Sequence, residues 1–266
     1  MIDANCLTIA SSGSGGTTTV ADQVSRLPGP TDGGPRRRAQ VAERSELGPF
    51  TSVVLPIYNE QATLASLVTT LLASDLVDEI VCVDDGSTDS SRAILRGFGR
   101  RIALVELPEN RGKGCALAQG IWRAHGTIVV FLDADLTNLS DDHLRALLGP
   151  LRDGTARASL GFFPGESAFS RFIARITGPR FTGERAYLRR DLLAHLPRIA
   201  TTGFGVEVYL NRLFTDGETA IVPLRGLSGL GKEDKHSTGV ATREYAGELL
   251  EVGREIVRGR LAWDRR

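Results

Sequence analysis

Four short apolar runs recur along the first half of the chain, and two of them stop on paired acidic residues. They are "TSVVLPI" (51–57), "VDEIVCVDD" (77–85), "IALVEL" (102–107) and "TIVVFLDAD" (127–135). β-Branched residues dominate them, and the apolar character is nearly continuous rather than alternating. That pattern belongs to strands covered on both faces. Between them lie segments of helical period: "QATLASLVTTLLASD" (61–75), "STDSSRAILRGF" (87–98), "GKGCALAQGIWRAHG" (112–126) and "SDDHLRALLGPL" (140–151). In the first, Leu64, Leu67, Val68, Leu71 and Leu72 share a face; in the last, Leu144, Leu147, Leu148 and Leu151 do. The second opens on Ser/Thr/Asp residues suited to capping, and Gly126 is expected to close the third. Strand–helix alternation predicts an α/β fold, a mostly parallel sheet with helices on both faces in one domain. Ligands of such sheets bind beyond the carboxyl ends of the strands.

The flanks read differently. Residues 1–48 are rich in Gly, Ser, Thr and Pro and carry no apolar period, so they read as a disordered leader with Arg36, Arg37 and Arg38 as a solvated run. The ordered domain is expected over 49–266, as a first half to 140 and a second from 141. Its end, "ATREYAGELLEVGREIVRGRLAWD", predicts a helix with Tyr245, Leu249, Val252 and Ile256 on one stripe, followed by Arg258, Arg260 and Trp263. That helix is expected to pack on the domain, with a membrane surface or a second subunit, as in a homodimer, as the alternative contact.

Composition narrows the partners. Lys+Arg and Asp+Glu are both 32, so the formal net charge is +0, and nothing suggests bulk attraction to nucleic acid. No run of about 18 apolar residues is present, so a transmembrane segment is not expected, and a lipid substrate would be met at the membrane surface. No secretory signal is visible, and Cys6, Cys82 and Cys115 lack metal-ligand spacing; a reduced, cytoplasmic setting is the simple reading.

The strand ends carry the chemistry. On extended backbone Asp133 and Asp135 point to one side, where two carboxylates repel unless a cation sits near them. A hard divalent ion, Mg²⁺ or Mn²⁺, suits such oxygens and usually brings substrate phosphates. A turn that uses Asp as a helix cap is the plainer account. The first strand ends in "LPIYNE", with Asn59 and Glu60, and the second in "VDDGSTD", with Asp84, Asp85, a glycine and hydroxyls. In "NRGKGCAL" two glycines flank Lys113, so its ammonium or the helix N-terminus faces a phosphate. The P-loop spacing is absent.

In this order and spacing, "PIYNE", "VDDGSTD", "GKG" and "DADL" resemble the nucleotide half of GT-A (Rossmann-like) glycosyltransferases of family 2, over roughly residues 51–140. The resemblance implies a metal-dependent transfer of sugar from a UDP- or GDP-sugar to a small-molecule or lipid-phosphate (polyprenyl-phosphate) acceptor. It implies donor contacts at Pro56, Tyr58, Glu60, Asp85, Ser87, Lys113, Asp133 and Ala134, with Asp135 on the metal. Asp133 would meet the ribose or metal-bound water and share the catalytic role. The second half, "FTGERAYLRRDLLAHLP" and "GFGVEVYLNRLF", is similar to polyprenyl-phosphate sugar transferases and glucosyl-3-phosphoglycerate synthases. There the Gly183–Glu184 turn lies near sugar and acceptor, and Glu207 faces the reacting centre as the candidate base, with Glu184 or Asp191 behind it. A helix-opening carboxylate is the bland account of Glu207. The related pattern carries a metal-binding histidine where this chain has Gly229, and His236, beyond "KEDK" (Lys232–Lys235), is the candidate substitute. Two rivals remain: a sugar-phosphate nucleotidyltransferase, whose glycine-rich loop after the first strand is missing here, and a non-catalytic nucleotide-sugar-binding module.

Overall fold

The computed structural model describes residues 50–162 and 182–229. The predicted leader, the "KEDK" turn, His236 and the C-terminal helix with its subunit or membrane contact lie outside the described residues. Elements are numbered in chain order within the described part.

The first strand, β1 (Thr51–Ile57), is followed by α1 (Leu64–Ala73), β2 (Glu79–Asp84), α2 (Ser91–Phe98), β3 (Ala103–Glu106), α3 (Lys113–Arg123) and β4 (Ile128–Phe131). A two-residue β5 (Leu136–Thr137) leads to α4 (Asp141–Arg152) and β6 (Ala158–Phe162). After the undescribed segment come β7 (Arg185–Leu188), α5 (Arg189–Leu193), α6 (Leu196–Ile199), α7 (Val206–Leu210), β8 (Thr219–Pro223) and β9 (Ser228–Gly229). The main sheet has the order β3-β2-β1-β4-β7-β6-β8. Strands β1, β2, β3 and β4 pair in parallel, and only β7 runs against its neighbours. The mostly parallel α/β sheet predicted from the alternation is what the chain forms.

Side chains alternate through β1. Val53, Leu55 and Ile57 join α1, α2 and α4 in one core, while Val54 joins α3, α5, α6 and α7 in the other. Helices therefore cover both faces, as two-sided burial of the strands requires. All four leucines named on the α4 stripe are buried, as are Leu64, Leu67, Val68 and Leu71 on α1. Strand order reverses at β1, so the loops after β1 and β4 diverge there and leave a crevice at the strand ends.

Two local expectations need correction. The "DAD" segment is not extended: β4 ends at Phe131, and Ala134 and Asp135 form a turn. Alternation along a strand therefore does not govern Asp133 and Asp135. Gly126 does not cap α3, which ends at Arg123 with Ala124 extended. Its role is close approach: a Cβ there would lie 2.6 Å from the Ser52 hydroxyl, which accepts the Gly126 N–H at 2.8 Å. Cys82 is buried and free, with burial pushing its thiol up to about 12. No helix among the described residues is long and apolar enough to cross a membrane.

Candidate active site

The loops after β1 and β2 are stitched to each other by the motif residues. Asn59, at a left-handed φ of 57°, turns its side-chain oxygen toward the N–H groups of Thr88 at 2.8 Å and Asp89 at 3.3 Å. Its own N–H donates to Ser87 Oγ at 3.1 Å. The Glu60 N–H donates to Ser91 Oγ at 2.9 Å, and the Asp89 carboxylate accepts from Gln61 and Ser91 backbone. Asp89, rather than the N-cap Ser90, thus satisfies the start of α2. Asp84 is fully buried and accepts Arg92 Nε and Nη2 at 2.7 Å each, so it anchors α2. Of the predicted donor contacts in this region, Pro56 lies in β1, half-buried, and Tyr58 stands at its end with 39% exposure, one of few large apolar side chains open to solvent among the described residues.

Asp85 is also buried, and both its oxygens are engaged. Oδ1 accepts the Arg111 N–H and Oδ2 the Gly112 N–H, each at 2.8 Å. Burial raises its pKa, and these two amides oppose that rise without cancelling it.

The charged centre lies at the N-terminus of α3. Gly112, at φ +88°, is the N-cap, and a Cβ on Gly114 would lie 2.4 Å from the Ile199 carbonyl oxygen and 2.6 Å from Thr202 Oγ1. The two glycines therefore do more than free a loop. They let the 199–203 segment close on α3, which brings α7 and Glu207 to Lys113. The Lys113 ammonium lies 2.7 Å from Glu207 Oε1 and 2.8 Å from Asp133 Oδ1. Burial opposes the charge on Lys113, but the two carboxylates outweigh it and hold the pKa well above the ordinary lysine value.

A third carboxylate backs this group. Gly183 packs so closely on Asp133 that a Cβ there would lie 2.2–2.5 Å from its carboxylate atoms. The next residue, Glu184, is 2% exposed and accepts a hydrogen bond from Thr182 Oγ1. Burial, then the negative charge of Asp133, push Glu184 up to about 7. Behind it the buried Arg185 donates to the Thr182 carbonyl at 2.6 Å, Asn211 Oδ1 at 2.8 Å and Tyr187 Oη at 3.2 Å. Asp191, the fallback base, pairs with Arg157 at 3.0 Å, away from the Lys113 group. Thr63 and Thr182 were not singled out in the sequence. Thr63 donates to the Ala134 carbonyl at 2.7 Å and so ties the "DAD" turn to the start of α1. Neither hydroxyl has a sequence signal, because each acts across a fold contact.

Among the described residues no group of three or more His, Cys, Asp or Glu side chains is arranged to hold a metal. What fits a divalent ion is the half-exposed pair Asp133 and Asp135 in one turn. Mg²⁺ and Mn²⁺ take one or two carboxylates and complete their shell with water and phosphate oxygens, so this donor set suffices. Gly229, paired with Leu136 between β9 and β5, stands beside Asp135: a Cβ there would lie 3.3 Å from Asp135 Oδ1. The position that the resemblance assigns to a histidine is therefore next to the predicted metal ligand, and Gly229 itself has no side chain to offer there.

The profile of glycosyl transferase family 2 matches residues 52–211. The chain belongs to glycosyl transferase family 2. The match spans β1 through α7 and so includes Lys113, Asp133, Asp135, Glu184 and Glu207, while the small strand β9 beside Asp135 lies beyond it. Glucosyl-3-phosphoglycerate synthase of Mycobacterium tuberculosis (strain H37Rv) is 42% identical over 119 residues, 42% of this chain and 37% of the relative. Undecaprenyl-phosphate 4-deoxy-4-formamido-L-arabinose transferase of Edwardsiella ictaluri is 44% identical over 97 residues, 34% of this chain and 30% of the relative. The alignments thus span about a third of the length of these curated relatives. A solved structure of the M. tuberculosis synthase with Mn²⁺, uridine diphosphate and glucosyl-3-phosphoglycerate superposes at TM-score 0.57 and 29% identity, covering 79% of this chain and 82% of that one. The same synthase with phosphoglyceric acid gives 0.58 and 27% over the same shares.

Proposed function

We propose that this family 2 chain is a metal-dependent glycosyltransferase that moves a sugar from a nucleoside-diphosphate sugar to a small phosphorylated acceptor, with a UDP-sugar as donor. The observation that carries this reading is the position of Lys113. One ammonium from the nucleotide half touches Asp133 of the "DAD" turn and Glu207 of the acceptor half. Donor-side and acceptor-side groups therefore meet at one point, which a sugar transfer requires. The relatives solved with UDP, Mn²⁺ and phosphoglyceric acid support the choice of donor, metal and acceptor class. The undecaprenyl-phosphate relative supports a second reading, in which a polyprenyl phosphate accepts the sugar.

The residues divide the work. Tyr58 offers an exposed ring at the end of β1 on which a base stacks. Asp135, with Asp133, would hold Mg²⁺ or Mn²⁺ at the diphosphate, where a bound divalent ion supplies positive charge against the departing group. Lys113 presents its ammonium to the same oxygens. Glu207 orients the acceptor and, for a hydroxyl acceptor with inversion, takes its proton. A phosphate acceptor is already anionic and needs no such base.

The test is nucleotide release. UDP-glucose and GDP-glucose are each paired with 3-phosphoglycerate or a polyprenyl phosphate, in Mn²⁺ or Mg²⁺ and again in a chelator. Turnover is expected with the UDP-sugar and the phosphorylated hydroxy acid only when metal is present, and Asp135→Ala abolishes it. Full turnover in chelator would overturn the metal role. Binding of the nucleotide sugar without turnover of any pair would instead support the non-catalytic module.

A further inference from the structure

We propose that Arg185 is a positioning residue, whose guanidinium ties α7 to the turn at Thr182–Glu184 and thereby holds Glu207 and Asp133 at the spacing that lets both reach Lys113. This rests on the transfer reading above and adds to it a residue to which neither the motifs nor the resemblance assigned a role. Arg185 is 1% exposed and among the largest fully buried side chains. A cation so placed is costly unless its donors are met, so its position is set by the groups it touches.

Arg185 opens β7 opposite Phe131, the last residue of β4, and two residues on from Phe131 comes Asp133. By strand alternation its side chain shares a sheet face with Tyr187, which packs in one core with Val206 and Leu210 of α7. From there the guanidinium serves two segments. Nε donates to the Thr182 carbonyl at 2.6 Å, beside the Gly183 that packs on the Asp133 carboxylate. Nη1 donates to Asn211 Oδ1 at 2.8 Å. Asn211 is the C-cap of α7, and its N–H donates to the Glu207 carbonyl at 3.0 Å, so it lies one helical turn beyond Glu207 on the same face. One planar group thus spans the supports of both carboxylates that touch the Lys113 ammonium. Nη1 also donates to Tyr187 Oη at 3.2 Å, a longer bond that stays within β7.

α7 is only five residues long and is held by its docking rather than by its own hydrogen bonds. Its buried Val206 and Leu210 give it affinity for the core, but apolar contact is non-directional. The bond from Arg185 to Asn211 is directional and fixes where along the sheet the helix sits. The Lys113 contacts are 2.7 and 2.8 Å, so a slide of about 1 Å takes a carboxylate out of hydrogen-bond range.

The experiment compares wild type with Asn211→Ala, Tyr187→Phe, Arg185→Lys, Glu207→Gln and the Asn211→Ala/Glu207→Gln pair. kcat and donor KM are measured with the donor and acceptor that wild type turns over, thermal midpoints are followed alongside, and crystal structures of wild type and Asn211→Ala are compared. Asn211→Ala and Tyr187→Phe each remove one partner of the same Nη1, so a role confined to stability lowers both midpoints and leaves both kcat values at wild type. Positioning separates them. Asn211→Ala is expected to lower kcat by up to roughly 10²-fold with donor KM unchanged, and to open the Lys113–Glu207 contact in the crystal, whereas Tyr187→Phe keeps wild-type kcat. In the Glu207→Gln background the Asn211→Ala step is expected to cost little, because residues acting through one another are not additive. Arg185→Lys keeps the charge but not the fork and is expected to lose kcat as Asn211→Ala does; Asn211→Ala carries the comparison if Arg185→Lys does not fold. Wild-type kcat in Asn211→Ala, an equal loss in Tyr187→Phe, or full additivity with Glu207→Gln would overturn the positioning role. A wild type that turns over no donor pair overturns the transfer reading instead, and the crystal structures then decide the positioning alone, an unmoved Glu207 in Asn211→Ala overturning it.

Discussion

The paired loops after β1 and β2 and the charged centre at Lys113 are both built from polar motif residues, yet they use them in opposite ways. In the loops, Asn59, Ser87, Asp89 and Ser91 satisfy one another across about 30 residues of chain, and Asp84 is consumed by Arg92. That region is scaffold: its hydrogen bonds hold the strand ends in register and leave Tyr58 open above them. At the centre, three carboxylates gather around one ammonium. Asp133 and Glu207 touch it, and Glu184 feels both it and Asp133. Such a surplus of negative charge is unfavourable unless cations arrive, which suits the metal and donor reading proposed above. The comparison shows why motif membership alone does not identify a site residue. "VDDGSTD" contains an anchor, a carboxylate between two backbone amides and a loop stitch in neighbouring positions.

The contrast is open to attack, most strongly at Glu207. If the acceptor is a hydroxyl and the product inverts, Glu207→Gln is expected to lower kcat roughly 10²–10⁴-fold with little change in substrate affinity. The measurement is kcat across pH, with the product anomer assigned by NMR. An inverted product formed at wild-type rate would pass the search for the base to Glu184 or Asp191.

Gly183→Ala comes next. The added methyl group has no room beside the Asp133 carboxylate and must push it off Lys113. A displacement of about 1 Å at a catalytic group costs up to roughly 10²-fold, so kcat should fall by about that order while the thermal midpoint moves little. A variant with unchanged kcat would show that the Asp133–Lys113 contact is not needed for turnover.

Glu184 sharpens the comparison through pH. Its carboxyl is raised from 4.5 to about 7 in the folded chain, chiefly by burial and then by Asp133. The folded protein therefore binds this proton more tightly than the unfolded chain. The resulting stability is fully present below about pH 4.5 and is lost as pH rises toward 7. Thermal midpoints followed across that window should decline more steeply for wild type than for Glu184→Gln. Parallel curves for the two proteins would remove Glu184 from the strained centre.

The smallest effect is expected in the scaffold. Ser87→Ala deletes the acceptor for the Asn59 N–H, which should cost about 1 kcal/mol of stability in denaturant unfolding. UDP affinity should stay close to wild type. A large loss of affinity with unchanged stability would instead make Ser87 a donor contact, as the resemblance implied.

The sequence by itself determined the architecture of the first half. Continuous β-branched runs and 3.6-residue periodicity are local properties, and they placed β1 to β4 and α1 to α4 within a few residues of where they form. The acidic residues at the end of the fourth run nominated Asp133 and Asp135, and the flanking glycines nominated Lys113, whereas Glu207 was nominated by the family resemblance of the second half. Only the tertiary structure decided what those residues do. Lys113 and Glu207 are 94 positions apart, and nothing local shows that Gly114 has room only for the backbone of 199–203, or that this packing delivers Glu207 to the ammonium. Asp84 and Asp85 are adjacent and chemically identical, yet one meets a guanidinium and the other two backbone amides. Their neighbours come from α2 and from the loop before α3, and a carboxylate's work is set by the groups around it rather than by its place in the chain.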